Sequence, residues 1–109
     1  MSAQQRPLVG QVVTVFRNRL RPEAAADYTE ELAEVVALAH EMPGFVETKT
    51  FVADDGERCT VVTFADPVSH RGWAEHPRHR EAQRHGVASY YAEYSIAVGE
   101  TTHASVFRR

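Results

Sequence analysis

From Gln11 to Leu20 the chain changes face at every residue, with Val12, Thr14, Phe16, Asn18 and Leu20 on one side and Val13, Val15, Arg17 and Arg19 on the other. A period of two belongs to a β-strand, whose successive side chains leave opposite faces of the pleat. Both faces begin apolar, so this strand predicts a sheet covered on both sides. Pro22 suits a first helical turn, and between Ala24 and Ala39 the residues Tyr28, Leu32, Val35, Val36 and Ala39 recur at helical spacing, with Glu30, Glu31 and Glu34 elsewhere. Met42-Pro43-Gly44 ends this helix. Phe45 to Val52 is rich in β-branched and aromatic residues, Asp54-Asp55-Gly56-Glu57 is hairpin-turn chemistry, and Arg58 to Phe64 resumes the alternation. Asp66-Pro67 predicts an N-cap and first-turn proline for a short helix carrying Trp73; Pro77 breaks it, and a second helical piece runs to about Val87. Tyr90 to Val98 alternates again, with Tyr90, Ala92, Tyr94, Ile96 and Val98 on one side, and Glu100 to Phe107 reads equally as a tail or a strand extension.

The order β-α-β-β-α-β predicts an α+β chain with the ferredoxin-like arrangement, an antiparallel sheet carrying both helices on one face. Its helix-free face then needs a cover, and a second copy of the chain, a homodimer, is the natural one. Length and composition agree with one ordinary globule: 109 residues, 43% hydrophobic and 25% charged, read as a single domain over 1–109 with its core at about 9–107. A net charge of -3 with both signs scattered gives no footprint for nucleic acid or an anionic membrane. Apolar runs of only a few residues, and a start at Met1 to Pro7 without a hydrophobic stretch, predict neither a membrane span nor a signal peptide. The lone Cys59 excludes an internal disulfide and any multi-cysteine metal framework, and suits a reducing, cytoplasmic setting.

Several chemistries are missing. There is no glycine-rich phosphate loop, dinucleotide fingerprint, Gly-x-Ser-x-Gly elbow or thiol with an activating partner, so no nucleotide or flavin cofactor is expected. Four of the six histidines, His70, His76, His79 and His85, fall close together. His76 and His79 straddle Pro77, and His79 and His85 are about 600° apart on a helix, so no metal site is expected and the imidazoles read as solvated beside Arg78, Arg80, Glu81 and Arg84. Asn18 is an amide on an otherwise apolar strand face, where it needs a partner, in a pocket or at the strand end. Trp73 walls a pocket, packs the core, or does both.

Met42-Pro-Gly-Phe45, the Asp55-Gly56-Glu57 turn, Trp73, the His76-Pro77-Arg78-His79 step and Tyr90-Tyr91 together give the chain a familiar outline. It resembles the antibiotic biosynthesis monooxygenase family of small dimeric α/β barrels over about residues 9 to 107. The resemblance implies two sheets packed face to face in a dimer, with one small-molecule pocket per subunit between sheet and helices. It implies catalytic roles for Asn18 and Trp73, to which the chemistry of a neutral-range imidazole adds His79 as the base. Thr14, Phe16, Tyr28, Phe64, Gln83 and Tyr91 are the expected substrate-binding residues. The implied reaction is cofactor-independent oxidation of an electron-rich polycyclic phenol or anthrone to a quinone, with molecular oxygen as co-substrate, in polyketide or antibiotic biosynthesis. Two alternatives stay open: a haem-binding, haem-degrading monooxygenase, in which Gln83 stands where that branch has its axial histidine and His79 is the only substitute, and a non-enzymatic dimer that binds an aromatic small molecule.

Overall fold

The computed structural model describes residues 8–109; the segment Met1 to Pro7, on which the signal-peptide expectation rests, lies outside the described residues. Strands β1 (Val12–Leu20), β2 (Phe45–Val52), β3 (Arg58–Phe64) and β4 (Tyr91–Glu100) form one sheet in the order β2-β3-β1-β4, every neighbouring pair antiparallel. The helices are α1 (Ala25–His40), entered through a 3-10 turn at Pro22–Ala24, then α2 (Pro67–Ala74) and α3 (Pro77–His85). This is the expected ferredoxin-like α+β fold. No helix among the described residues is long and apolar enough to cross a membrane.

The local signals act as chemistry requires. Gly56 takes a φ of +88° in the β2-β3 turn, a region open to glycine at little cost. Asp66 caps α2 by accepting from the Ser69 N–H at 2.8 Å, ahead of Pro67 in the first turn. α1 and α2 lie on one sheet face, where Ala39, Phe64 and Trp73 are buried together against Val35, Leu38, Met42, Phe45 and Val62.

Register puts Thr14 opposite Val62 and Val98, Phe16 opposite Thr60 and Ile96, and Asn18 opposite Arg58 and Tyr94, all on the helix-bearing face. Val13 and Val15 therefore face away, with Val15 between Val61 and Ala97 on the side that no helix covers.

β4 corrects the alternation expected for it. A register shift opposite Arg19 and Leu20 leaves Ala92 unpaired, so Tyr91 pairs with Leu20 and joins Tyr94, Ile96 and Val98 on the helix-bearing face in place of Ala92. Tyr90 is not in the strand; it closes one π-helical turn, Gly86–Tyr90. Gly86 is buried there, and any Cβ at this position would run into the ring of Tyr91. After β4, Thr101 still exchanges backbone hydrogen bonds with Gly10 and Gln11 at 2.9 and 2.8 Å, and residues 102–109 take no regular structure.

Candidate functional site

Between the helix-bearing sheet face and the three helices lies a cavity of about 670 Å³, a volume suited to a small organic ligand. Thr14, Phe16, Tyr28, Phe64, Trp73, His79, Gln83 and Tyr91 all line it. Asn18 does not. Of the site residues expected from sequence, it alone is off the cavity wall, buried to 1% exposure on the same face but nearer the far end of β1. Trp73 packs on Phe64, whose register partner is Val12, and Asn18 lies six residues further, about 20 Å along the strand.

At the Trp73 end, α2 and α3 meet at the Pro77 step. The imidazole of His79 stacks on the indole of Trp73 with ring centroids 4.4 Å apart and 15° between planes. His79 Nδ1 lies 3.1 Å from the Trp73 carbonyl oxygen. A carbonyl only accepts, so Nδ1 carries the hydrogen and, in the neutral ring, Nε2 keeps the lone pair. Burial pushes the His79 pKa below the usual imidazole value, the bond to the Trp73 carbonyl acts against this, and neighbouring His76 and His70 add to the fall. His70 also lines the cavity, with Nε2 3.5 Å from Thr14 Oγ1.

At the other end the cavity is walled by aromatic rings. Phe16 meets Tyr91 edge-on at 5.3 Å and Tyr94 at 5.8 Å, and Tyr28 meets Tyr90 and Tyr91 at 5.7 and 5.6 Å. Tyr94, Ile96 and Val98 are about half exposed, at 49%, 49% and 51%, so the cavity is uncovered along β4.

Among the cavity-lining groups that sequence reasoning missed, one is a carboxylate. Glu31, read as part of a polar helix face, points into the cavity and accepts from Tyr90 Oη at 2.6 Å, Arg78 Nη1 at 2.7 Å and His85 Nδ1 at 2.9 Å. Burial by itself would raise the Glu31 pKa; the three donors outweigh it and hold the carboxyl at about 2. The spacing did contain the signal, because Glu31 follows Tyr28 by three residues on the same helical face.

Three of the four histidines likewise correct the expectation of a solvated polar face, while His85 remains exposed. His70 and His79 wall the cavity, His85 pairs with Glu31, and His76 caps α3 by accepting from the Arg78 N–H at 3.1 Å. Among the described residues, ligating atoms of Glu31, Glu81 and His85 lie within 4.8 Å of one another, but Arg78 forms ion pairs with both carboxylates at 2.7 and 3.1 Å and meets their charge.

Comparison with known proteins places the fold. The family model described as antibiotic biosynthesis monooxygenase matches residues 11–85. YqjZ, an uncharacterized protein of Bacillus subtilis (strain 168), is 26% identical over 96 residues, covering 86% of this chain and 82% of its own. A single-site mutant of SnoaB from Streptomyces nogalater, a cofactor-independent oxygenase, superposes with a TM-score of 0.73 at 17% identity, over 86% of this chain and 95% of that one. Rv0793 from Mycobacterium tuberculosis superposes with a TM-score of 0.77 at 12% identity, over 89% and 100% of the two chains.

Proposed function

The chain belongs to the antibiotic biosynthesis monooxygenase family, and from that membership we propose that it is a cofactor-independent monooxygenase converting an electron-rich polycyclic phenol or anthrone to its quinone, as in polyketide or antibiotic biosynthesis. The observation that carries this reading is the Nδ1 bond of His79 to the Trp73 carbonyl, which leaves Nε2 as a proton acceptor on a cavity-lining residue.

Triplet oxygen reacts sluggishly with closed-shell molecules unless the substrate first donates an electron, and a phenolate or enolate does so. His79 takes the acidic proton of the substrate. The anion passes one electron to oxygen, the two radicals combine to a peroxide, and loss of water leaves the new carbonyl of the quinone. The oxygen molecule thus ends as one carbonyl oxygen and one water; the O–O bond and the remaining C–H bond of the oxidised carbon break together, and the two hydrogens of the water are that one and the proton returned by His79. Burial lowers the His79 pKa and so favours the neutral ring, the form that accepts a proton. Trp73 and the aromatic rings of Phe16, Tyr28 and Tyr91 hold a flat substrate and exclude water, while Thr14, Phe64 and Gln83 complete the wall. Asn18, buried on the same sheet face but off the cavity wall, is assigned to anion stabilisation in this reading.

The homodimer and its interface on the helix-free face belong to the same proposal, supported by Val13, Val15, Val61 and Ala97 on that face. So do a single domain over 1–109 and a reducing cytoplasmic setting, which suits the lone Cys59. The second reading, haem binding, draws on the same free Nε2 of His79, a cavity nitrogen suited to an axial bond. Oxygen uptake with dithranol, in the presence of a metal chelator, tests the first reading. A rate no greater than spontaneous oxidation across several anthrones and naphthols favours a binding dimer, and a shifted Soret band abolished by His79→Ala favours haem.

A further inference from the structure

Three polar side-chain atoms among the described residues are buried without a hydrogen-bond partner: Oδ1 and Nδ2 of Asn18, and Nε of Arg58. They are not scattered. Asn18 on β1 and Arg58 on β3 are direct register partners on the helix-bearing face of the sheet. An acceptor and two donors thus stand together unused, where a buried polar group without a partner is costly and rare.

Arg58 also differs from the arginines around it. Arg17, Arg19, Arg21 and Arg78 each meet a carboxylate within 2.8 Å, whereas Arg58 forms no ion pair among the described residues. Its guanidinium carbon instead lies 5.5 Å over the ring of Tyr28, and Tyr28 lines the cavity. Burial, with the adjoining Tyr28, raises the pKa of the cavity-lining Tyr91, and the nearby charge of Arg58 acts against that rise. Glu31, the one cavity carboxylate at this end, is already met by Tyr90, Arg78 and His85.

We propose that Arg58, whose guanidinium lies over Tyr28, together with its register partner Asn18 makes the tyrosine end of the cavity an anion-receiving end, so that the ligand is a flat aromatic molecule with an ionised oxygen directed there. Arg58 acts as a positioning residue, setting the charge of this end and supplying the donor that Asn18 Oδ1 lacks when the ligand draws the two together. This deepens the oxygenase reading by naming the charge state of its substrate, and it rests on that reading only for the claim that the ligand is then oxidised.

The test is equilibrium binding, read by fluorescence anisotropy, of two tricyclic probes of the same shape: anthracene-9-carboxylate, ionised at neutral pH, and 9-(hydroxymethyl)anthracene, uncharged. The wild-type protein should bind the carboxylate about 10- to 100-fold more tightly. Arg58→Met should lose that preference while keeping its affinity for the alcohol, and Arg58→Lys, which keeps the charge without the Nε donor, should retain part of it. Equal affinity of the wild type for the two probes, binding of neither, or a preference that survives Arg58→Met overturns the proposal. If circular dichroism shows that Arg58→Met does not fold, the wild-type ratio and the Arg58→Lys ratio decide, and an undiminished ratio in the lysine variant counts against it. No turnover is involved, so a protein that consumes no oxygen still passes or fails this test, and the two readings fail separately.

Discussion

His79 lies flat on Trp73, ring centroids 4.4 Å apart, and its Nδ1 donates to the carbonyl of that same tryptophan at 3.1 Å. One residue thus sets both the plane and the tautomer of the imidazole, across the break that Pro77 makes between α2 and α3. A base held this way has only Nε2 to offer.

Its pH dependence follows. The base must be neutral to work, and burial lowers the His79 pKa below the usual 6.5, so kcat/KM should rise with pH along an acid limb centred below 6.5. His79→Gln should reduce turnover by about 100-fold and remove that limb. A limb centred above 6.5, or one that persists in His79→Gln, assigns the base elsewhere. The same shift bears on stability. The unfolded state binds the proton more readily, so this group costs stability as pH falls through 6.5, and thermal scans should show a smaller acid loss in His79→Gln.

Asn18 carries a stability cost that its replacement should reveal. Both of its amide atoms are buried without partners, a situation costing about 1 to 3 kcal/mol. Asn18→Leu should therefore leave the ligand-free protein as stable or raise Tm by about 4 to 8 °C per kcal/mol relieved. Oxygen uptake should fall by about 10- to 1000-fold in the same variant. A fall in both together would make Asn18 a packing residue.

The Glu31 cluster predicts an acid transition. A carboxyl held at about 2 in the folded protein, against 4.5 ordinarily, contributes stability that is complete above 4.5 and lost as pH falls towards 2. Arg78→Met removes one of three donors, so its acid unfolding, followed by far-UV circular dichroism, should begin at higher pH than in the wild type. Coincident curves would show that Tyr90 and His85 hold Glu31 without Arg78.

Val15 tests the helix-free face. It stands between Val61 and Ala97 with no helix over it. Val15→Asp should shift a dimer towards monomer in light scattering at micromolar concentration, since an unpaired carboxylate in an interface costs several kcal/mol. A wild-type mass near that of one chain, 12.2 kDa, at every concentration would remove the dimer from the proposal.

Whatever is local was legible in the order of residues. The two-residue period of β1, the apolar stripe of α1, the glycine turn at Gly56, the Asp66-Pro67 cap and the break at Pro77 are each set by neighbours within a turn or a strand, and their order already implied the sheet topology, while the cavity beneath the helices was implied by the family resemblance. Folding in three dimensions settled what depended on distant partners. Glu31 became a cavity carboxylate with a depressed pKa only because Arg78, His85 and Tyr90, 47, 54 and 59 residues away, converge on it. The unpaired Ala92 turned Tyr91 onto the cavity face, and the pairing of Asn18 with Arg58 left the amide and the Nε of the guanidinium without partners. A one-residue change of register moves a side chain to the opposite face of a sheet, and periodicity within one strand carries no information about which residue of another strand lies beside it.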